Sequence, residues 1–220
     1  MKRTRPFAAL AVLAVLASTG SMPAAPQASE TLRSPAEFAG ITDEAMRSAA
    51  LFTEVAKVLQ SPRCVNCHPP TRIPTQGDDL HQHVPLIEGG ADNHGVPGLP
   101  CSTCHTEQNV TTLGQRIATV PGAPHWSLAP LSMAWRGLSA AEICTQLKDP
   151  SRNGGRSLAQ IHTHGLTDPL VAWGWQPGDG RTPAPGTQEG FATLVAAWIE
   201  TGAHCPTADT ADGVAHNGEE

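Results

Sequence analysis

The sequence predicts a mainly α-helical domain with long irregular loops, and three observations carry that expectation. Four stretches open on a residue able to cap a helix, and the first and last carry apolar stripes at helical spacing. Between them lie most of the 21 glycines and 20 prolines of a 220-residue chain, which interrupt regular structure. Aromatic residues make up only 4%, with no tyrosine, so a core of this size lacks large side chains and something else is expected to fill it. The length suits one domain. A hydrophobic content of 40% and a charged content of 15% exclude a disordered acidic chain, a coiled coil and a polytopic membrane protein.

In chain order, residues 1–28 read as an export signal. Lys2, Arg3 and Arg5 precede an apolar run from Phe7 to Ala17 that is too short to span a bilayer, so no stable membrane insertion is expected. The signal removes three of 14 basic residues and none of the 20 acidic ones, leaving nine more acids than bases. Nucleic acid, which is bound through Lys and Arg on phosphate, is a poor partner for such a chain. The domain is expected over residues 29–206. Thr42 can cap a helix over 43–59, with Asp43 and Glu44 in its first turn and Ala45, Ala49, Phe52, Ala56 and Leu59 on one stripe. Ser61-Pro62 stops it. From Pro69 to Leu99 the chain reads as loop, and 120–130 is again broken by prolines. Ser139 and Glu142 form a capping box for a short helix to about Lys148, closed by Asp149-Pro150. Ser157 can cap a short helical turn ending near Gly165. Thr187 opens a last helix over 188–201, with Phe191, Leu194, Val195 and Trp198 on one face and Gly202 as its stop. Residues 207–220 read as a loose acidic tail.

The six cysteines are of two kinds. Cys64-Val65-Asn66-Cys67-His68 and Cys101-Ser102-Thr103-Cys104-His105 are two C-x-x-C-H motifs, the signature of covalent c-type haem attachment. Two thiols three residues apart reach the two vinyl groups on one porphyrin edge, and the following residue brings an imidazole under the iron. A Cys₄ zinc ribbon is the rival reading. Ribbon pairs usually sit roughly 15–20 residues apart, whereas 33 residues separate Cys67 from Cys101 here. Zinc also gives no reason for a histidine after both pairs, a coincidence of roughly 0.2% by composition. Cys144 and Cys205 remain, and in an oxidising compartment they are expected to form a disulfide. The architecture expected is therefore one of cytochrome c-like helices packed around two covalently bound haems. An early helix, attachment motifs in loops and a closing amphipathic helix resemble the plan of c-type cytochromes.

With His68 and His105 as proximal ligands, the sixth ligand of each iron separates an electron carrier from an open, reactive haem. The distal candidates, in order of preference, are His94, His125, His83 and His164. His94 stands seven residues before Cys101, and His125 sits in a Pro-flanked turn. His81/His83 and His162/His164 are i, i+2 pairs of which one member each is expected to bind. Met133 is the one candidate thioether ligand. Arg152-Asn153-Gly154-Gly155-Arg156 offers guanidiniums and turn amides suited to haem propionates. Trp173-Gly174-Trp175 is expected either to line a haem edge or to pack in the core.

Beyond the haem motifs, the run from Pro62 to about Pro206 resembles a family of small exported dihaem cytochromes associated with molybdenum hydroxylases of the isoquinoline 1-oxidoreductase type. The residues that carry the resemblance are Ser61-Pro62-Arg63-Cys64, His94-Gly95-Val96-Pro97-Gly98, Pro124-His125-Trp126, Lys148-Asp149-Pro150 with Arg152-Asn153-Gly154-Gly155, and Ala197-Trp198-Ile199. The resemblance implies a redox partner that takes electrons from a molybdenum or iron–sulfur enzyme. The expected function is a periplasmic carrier of single electrons between a dehydrogenase and a downstream acceptor, more an electron-transfer protein than a stand-alone enzyme. A small dihaem peroxidase with one open haem and an exported zinc-binding module are the alternatives.

Overall fold

The computed structural model describes residues 30–111 and 119–207. The segments expected to be an export signal, 1–28, and a tail beyond Thr207 lie outside the described residues. The described chain is mainly helical with long loops, as expected.

Helix α1 (Glu44–Leu59) is capped by Asp43, whose carboxylate accepts the Met46 N–H at 2.8 Å, one residue later than the expected Thr42. Its stripe is centred on Leu51, Phe52, Val55 and Leu59, all buried. Helix α2 (Pro62–Val65) starts on a proline that needs no N–H there and carries Cys64. Helix α3 (Ala140–Leu147) opens on the expected Ser139–Glu142 capping box. A second box, Ser157 with Gln160, opens helix α4 (Leu158–Thr167), which runs two residues beyond Gly165. Helix α5 (Pro169–Trp173) was not anticipated; the Asp168 carboxylate accepts the N–H groups of Leu170 and Val171. Thr187 caps helix α6 (Gln188–Glu200) by accepting the Gly190 N–H at 3.0 Å.

The segment from Pro69 to Leu99 is loop punctuated by two small antiparallel hairpins. In the first, β1 (Thr75–Gln76) pairs with β2 (His81–Gln82), and in the second β3 (Gly95–Val96) pairs with β4 (Leu99–Pro100). A third pairs β5 (Val110–Thr111) with β6 (Thr119–Val120).

Helices α1 and α6 form the spine. The rings of Phe52 and Trp198 meet at 4.8 Å and 56°, a tilted aromatic pair. Ser48 Oγ donates to the Trp198 carbonyl at 3.2 Å and accepts the His204 N–H at 2.9 Å, so a buried hydroxyl is fully used. Cys144 of α3 and Cys205, just beyond α6, form a disulfide with Cα atoms 5.6 Å apart. Closing a loop of that length stabilises by about 4 kcal/mol in the chain-entropy model. Glu54 of α1 is buried and accepts Arg33 N, Arg33 Nε and Lys57 Nζ at 3.0, 3.0 and 3.2 Å. Burial pushes its carboxyl pKa up, but these hydrogen bonds and charges outweigh it and hold it below the usual carboxylate value.

Candidate functional site

One cavity of about 190 Å³ opens inside the helical core. Each of the six helices lends it a side chain: Val55 from α1, Cys64 from α2, Leu147 from α3, Ile161 from α4, Val171 from α5 and Val195 from α6. The shortage of large side chains noted in the sequence is therefore a hollow. Its lining is overwhelmingly apolar.

The first motif forms part of this wall. Residues 62–68 coil through α2 and one further turn, with Cys67 N–H and His68 N–H both bonded to the Cys64 carbonyl at 3.1 Å. Cys64, Cys67 and His68 thus line the cavity together. His68 Nδ1 lies 2.7 Å from the Met133 carbonyl. A carbonyl only accepts, so Nδ1 carries the proton and Nε2 keeps its lone pair. The Trp135 indole stacks on the imidazole at 3.6 Å with planes 1° apart, while the Trp135 backbone N–H donates to the His68 carbonyl. Burial pushes the imidazole pKa down to about 4, with the Met133 bond working the other way and His164 adding to the fall. It also pushes the thiols of Cys64 and Cys67 up to about 12 and about 11.

The second motif repeats the arrangement on a different scaffold. Cys101–Thr103 form a single 3₁₀ turn at the end of β4, and His105 follows. His105 Nδ1 lies 2.7 Å from the Pro121 carbonyl, and Trp126 stacks on its ring at 3.8 Å and 15°. In both motifs a single proline-containing segment supplies the carbonyl and the tryptophan. Burial lowers the His105 pKa, against the Pro121 bond. Unlike the first pair, Cys104 is exposed.

Of the distal candidates, His83 is the one whose ring lies beside the ring of a motif histidine. It lies 6.1 Å from the His105 ring centre, and its Nδ1 is 3.0 Å from the Pro85 carbonyl, leaving Nε2 free. His164 lines the cavity of His68, with Nδ1 3.1 Å from Asp168 Oδ2, the carboxylate–imidazole pairing common behind metal-bound histidines. His94, the first preference, is exposed and turns Nδ1 to the Trp126 carbonyl at 3.2 Å. His125 is exposed on a left-handed turn, φ +57°, and is not brought to either motif's histidine. Within the i, i+2 pairs, His81 turns to Asp79, and His164 but not His162 lines the cavity.

Met133 presents its backbone carbonyl to His68 while its side chain lines the same cavity. Arg156 reaches the cavity, but Arg152 is exposed, and buried Asn153 ties their loop together through Leu147 and Arg156. Trp173 and Trp175 line the cavity with their N–H groups spent on Thr119 and Pro185. Sequence reasoning missed the stacked Trp126 and Trp135, although both stand in Pro-flanked segments downstream of the motifs. It also missed Arg63, which sits 4% exposed in the cavity wall. Among the described residues no three His, Cys, Asp or Glu side chains converge as a bare metal ion requires, and no helix is long and apolar enough to cross a membrane. No family model, curated protein or solved structure matches the chain.

Proposed function

We propose that the chain is an exported dihaem c-type cytochrome that carries single electrons between a dehydrogenase or oxidoreductase, with a molybdenum hydroxylase as the donor class the sequence suggests, and a downstream acceptor. The observation that carries this reading is the shared support of the two motif histidines. Each has its Nδ1 proton on a backbone carbonyl at 2.7 Å and a tryptophan against its face. A C-x-x-C-H match alone is a pattern of letters; two matches whose imidazoles are held the same way by unrelated segments indicate a common use.

The residues fit the group. The cavity is apolar, adjoins both thiols of the first motif and is walled by all six helices. Cys64 and Cys67 would hold one haem and Cys101 and Cys104 the other, with His68 and His105 as proximal iron ligands. Bound there, haem supplies a one-electron couple whose potential the axial ligands set. The chain's own part is to orient the four imidazoles and keep water from the first site. His83 beside His105 favours a six-coordinate, low-spin second site over an open one. Val84 and Leu86, 71% and 64% exposed beside His83, give that site an apolar margin on which a partner can dock.

Production in a host able to attach haem tests the proposal. The mature protein is expected to carry two macrocycles by intact mass and a two-haem pyridine-haemochrome spectrum, and replacing both cysteines of either motif by Ala is expected to remove one. A ferric spectrum that is wholly low-spin supports the carrier; a high-spin haem with peroxide turnover supports the peroxidase. A colourless, zinc-loaded product would falsify both.

A further inference from the structure

Four buried side-chain polar atoms among the described residues have no hydrogen-bond partner, and two of them belong to walls of the same cavity: Arg63 Nε and Trp126 Nε1. Such atoms are rare in native structures and ask what they are kept for. Arg63 is 4% exposed and Trp126 6% exposed, so neither atom reaches bulk solvent.

The charges nearby make the same request. Arg63 Nη2 donates to the Gly77 carbonyl and pairs with Asp78. Arg181 lies on the same cluster: its guanidinium and that of Arg63 are 5.8 and 5.9 Å from the Trp173 ring centre, and its Nη1 is spent on the carbonyls of Thr119 and Pro177. Asp78 is the carboxylate that acts on both cations, and it also accepts from Thr182. Two guanidiniums thus share one carboxylate beside an apolar hollow. A buried positive charge without a counter-ion is costly, and arginine's planar fork is suited to a carboxylate.

We infer that Arg63 and Trp126 form a carboxylate-binding pair in the cavity wall, and that they take the propionates of the porphyrin held at Cys64 and Cys67. The identity of the carboxylate rests on the haem reading above; the need for an anion does not. Arg63 directly precedes Cys64, so the residue that neutralises the macrocycle's polar edge is one bond from the residue that anchors its vinyl edge. The propionate loop expected at residues 152–156 then contributes through Arg156 alone.

Spectroelectrochemical titration and redox-difference infrared spectra test this in a Cys101→Ala/Cys104→Ala background, where one haem titrates. Arg63→Gln removes a positive charge that disfavours the ferric state. It is expected to lower the reduction equilibrium constant at least tenfold, about 59 mV for one electron. Arg63→Lys is expected to restore most of the potential while still moving the propionate infrared bands, because charge is kept and the Nε donor is lost. Trp126→Phe keeps the ring and deletes only the N–H, and is expected to move the bands of one propionate. If Arg63→Gln does not fold, the other two variants decide. Loaded protein with unmoved potentials and unmoved bands in them overturns the carboxylate assignment alone. A chain that matures without covalent porphyrin sinks the haem reading and the propionate assignment together, an outcome the mass spectrum distinguishes at once.

Discussion

His68, His83, His94 and His105 all turn Nδ1 to a backbone carbonyl, and His164 turns it to Asp168. A partnered Nδ1 is therefore common to several histidines and does not by itself pick a ligand; what separates them is exposure and what each ring lies beside. His83 lies beside His105 at 6.1 Å, and His94 and His125 are exposed. His83→Ala is accordingly expected to convert the haem at Cys101/Cys104 from low-spin to high-spin ferric, read by electron paramagnetic resonance, with His125→Ala silent. A wholly low-spin His83→Ala protein would remove His83 from the site. Sequence spacing singles out His94, seven residues before Cys101, whereas no spacing marks His83, whose ring the fold brings beside His105. Glu54 gives a second prediction. Its folded pKa is depressed, so its charge stabilises the fold above the normal carboxylate pKa, and this contribution is lost as pH falls through the lower, folded value. Glu54→Gln is expected to cost about 2 kcal/mol near neutrality. In urea melts at successively lower pH, the gap from wild type should close; a gap independent of pH would mean that the carboxylate's charge contributes nothing.

The helices were legible wherever a capping residue marks their start. Ser139–Glu142, Ser157 and Thr187 mark α3, α4 and α6 because an exposed N–H must be met locally, and the residue that meets it is adjacent in sequence. Helix α5 escaped notice despite its Asp168-Pro169 start, since five residues cannot show a periodicity. The hairpins were equally hidden: pairs of two residues carry no alternation, and their register depends on partners elsewhere. One of their neighbours controls the second site. Gly122 lies against the chain at 106–108, and a Cβ there would sit 2.1 Å from the Gln108 carbonyl oxygen, a backbone atom that cannot swing aside. Gly122→Ala must therefore push residues 121–122 outward, and with them the Pro121 carbonyl that holds His105. The expected result is a protein with near-normal helicity by circular dichroism and an altered ligand-field spectrum at the second haem only. A change confined to the first haem would contradict the assignment of Pro121.

At the scale of the whole molecule the two sites differ in what they hold together. The first is the interior itself: residues from α1 to α6 converge on the cavity beside Cys64, Cys67 and His68, so whatever fills it supplies core that the side chains leave out. The second hangs on short hairpins and a 3₁₀ turn, with Cys104 exposed and Trp126 as the wall it shares with the first. Deleting the attachments should therefore have unequal consequences. Cys64→Ala/Cys67→Ala leaves a hollow lined by residues such as Phe52, Phe191 and Trp198, and large vacated volumes in a core cost several kcal/mol because the walls relax only in part. Cys101→Ala/Cys104→Ala removes a cofactor from loops and leaves the α1–α6 spine and the Cys144–Cys205 staple untouched. Thermal melts followed by far-ultraviolet circular dichroism should show a large drop in Tm for the first pair and a small one for the second. Equal drops would mean that the hairpin region folds as one unit with the helices; a larger drop for the second would place the structural haem at the wrong motif. A covalent haem at the first motif that leaves Tm unchanged when removed would show that the cavity collapses without it, and the low aromatic content would then need another cause.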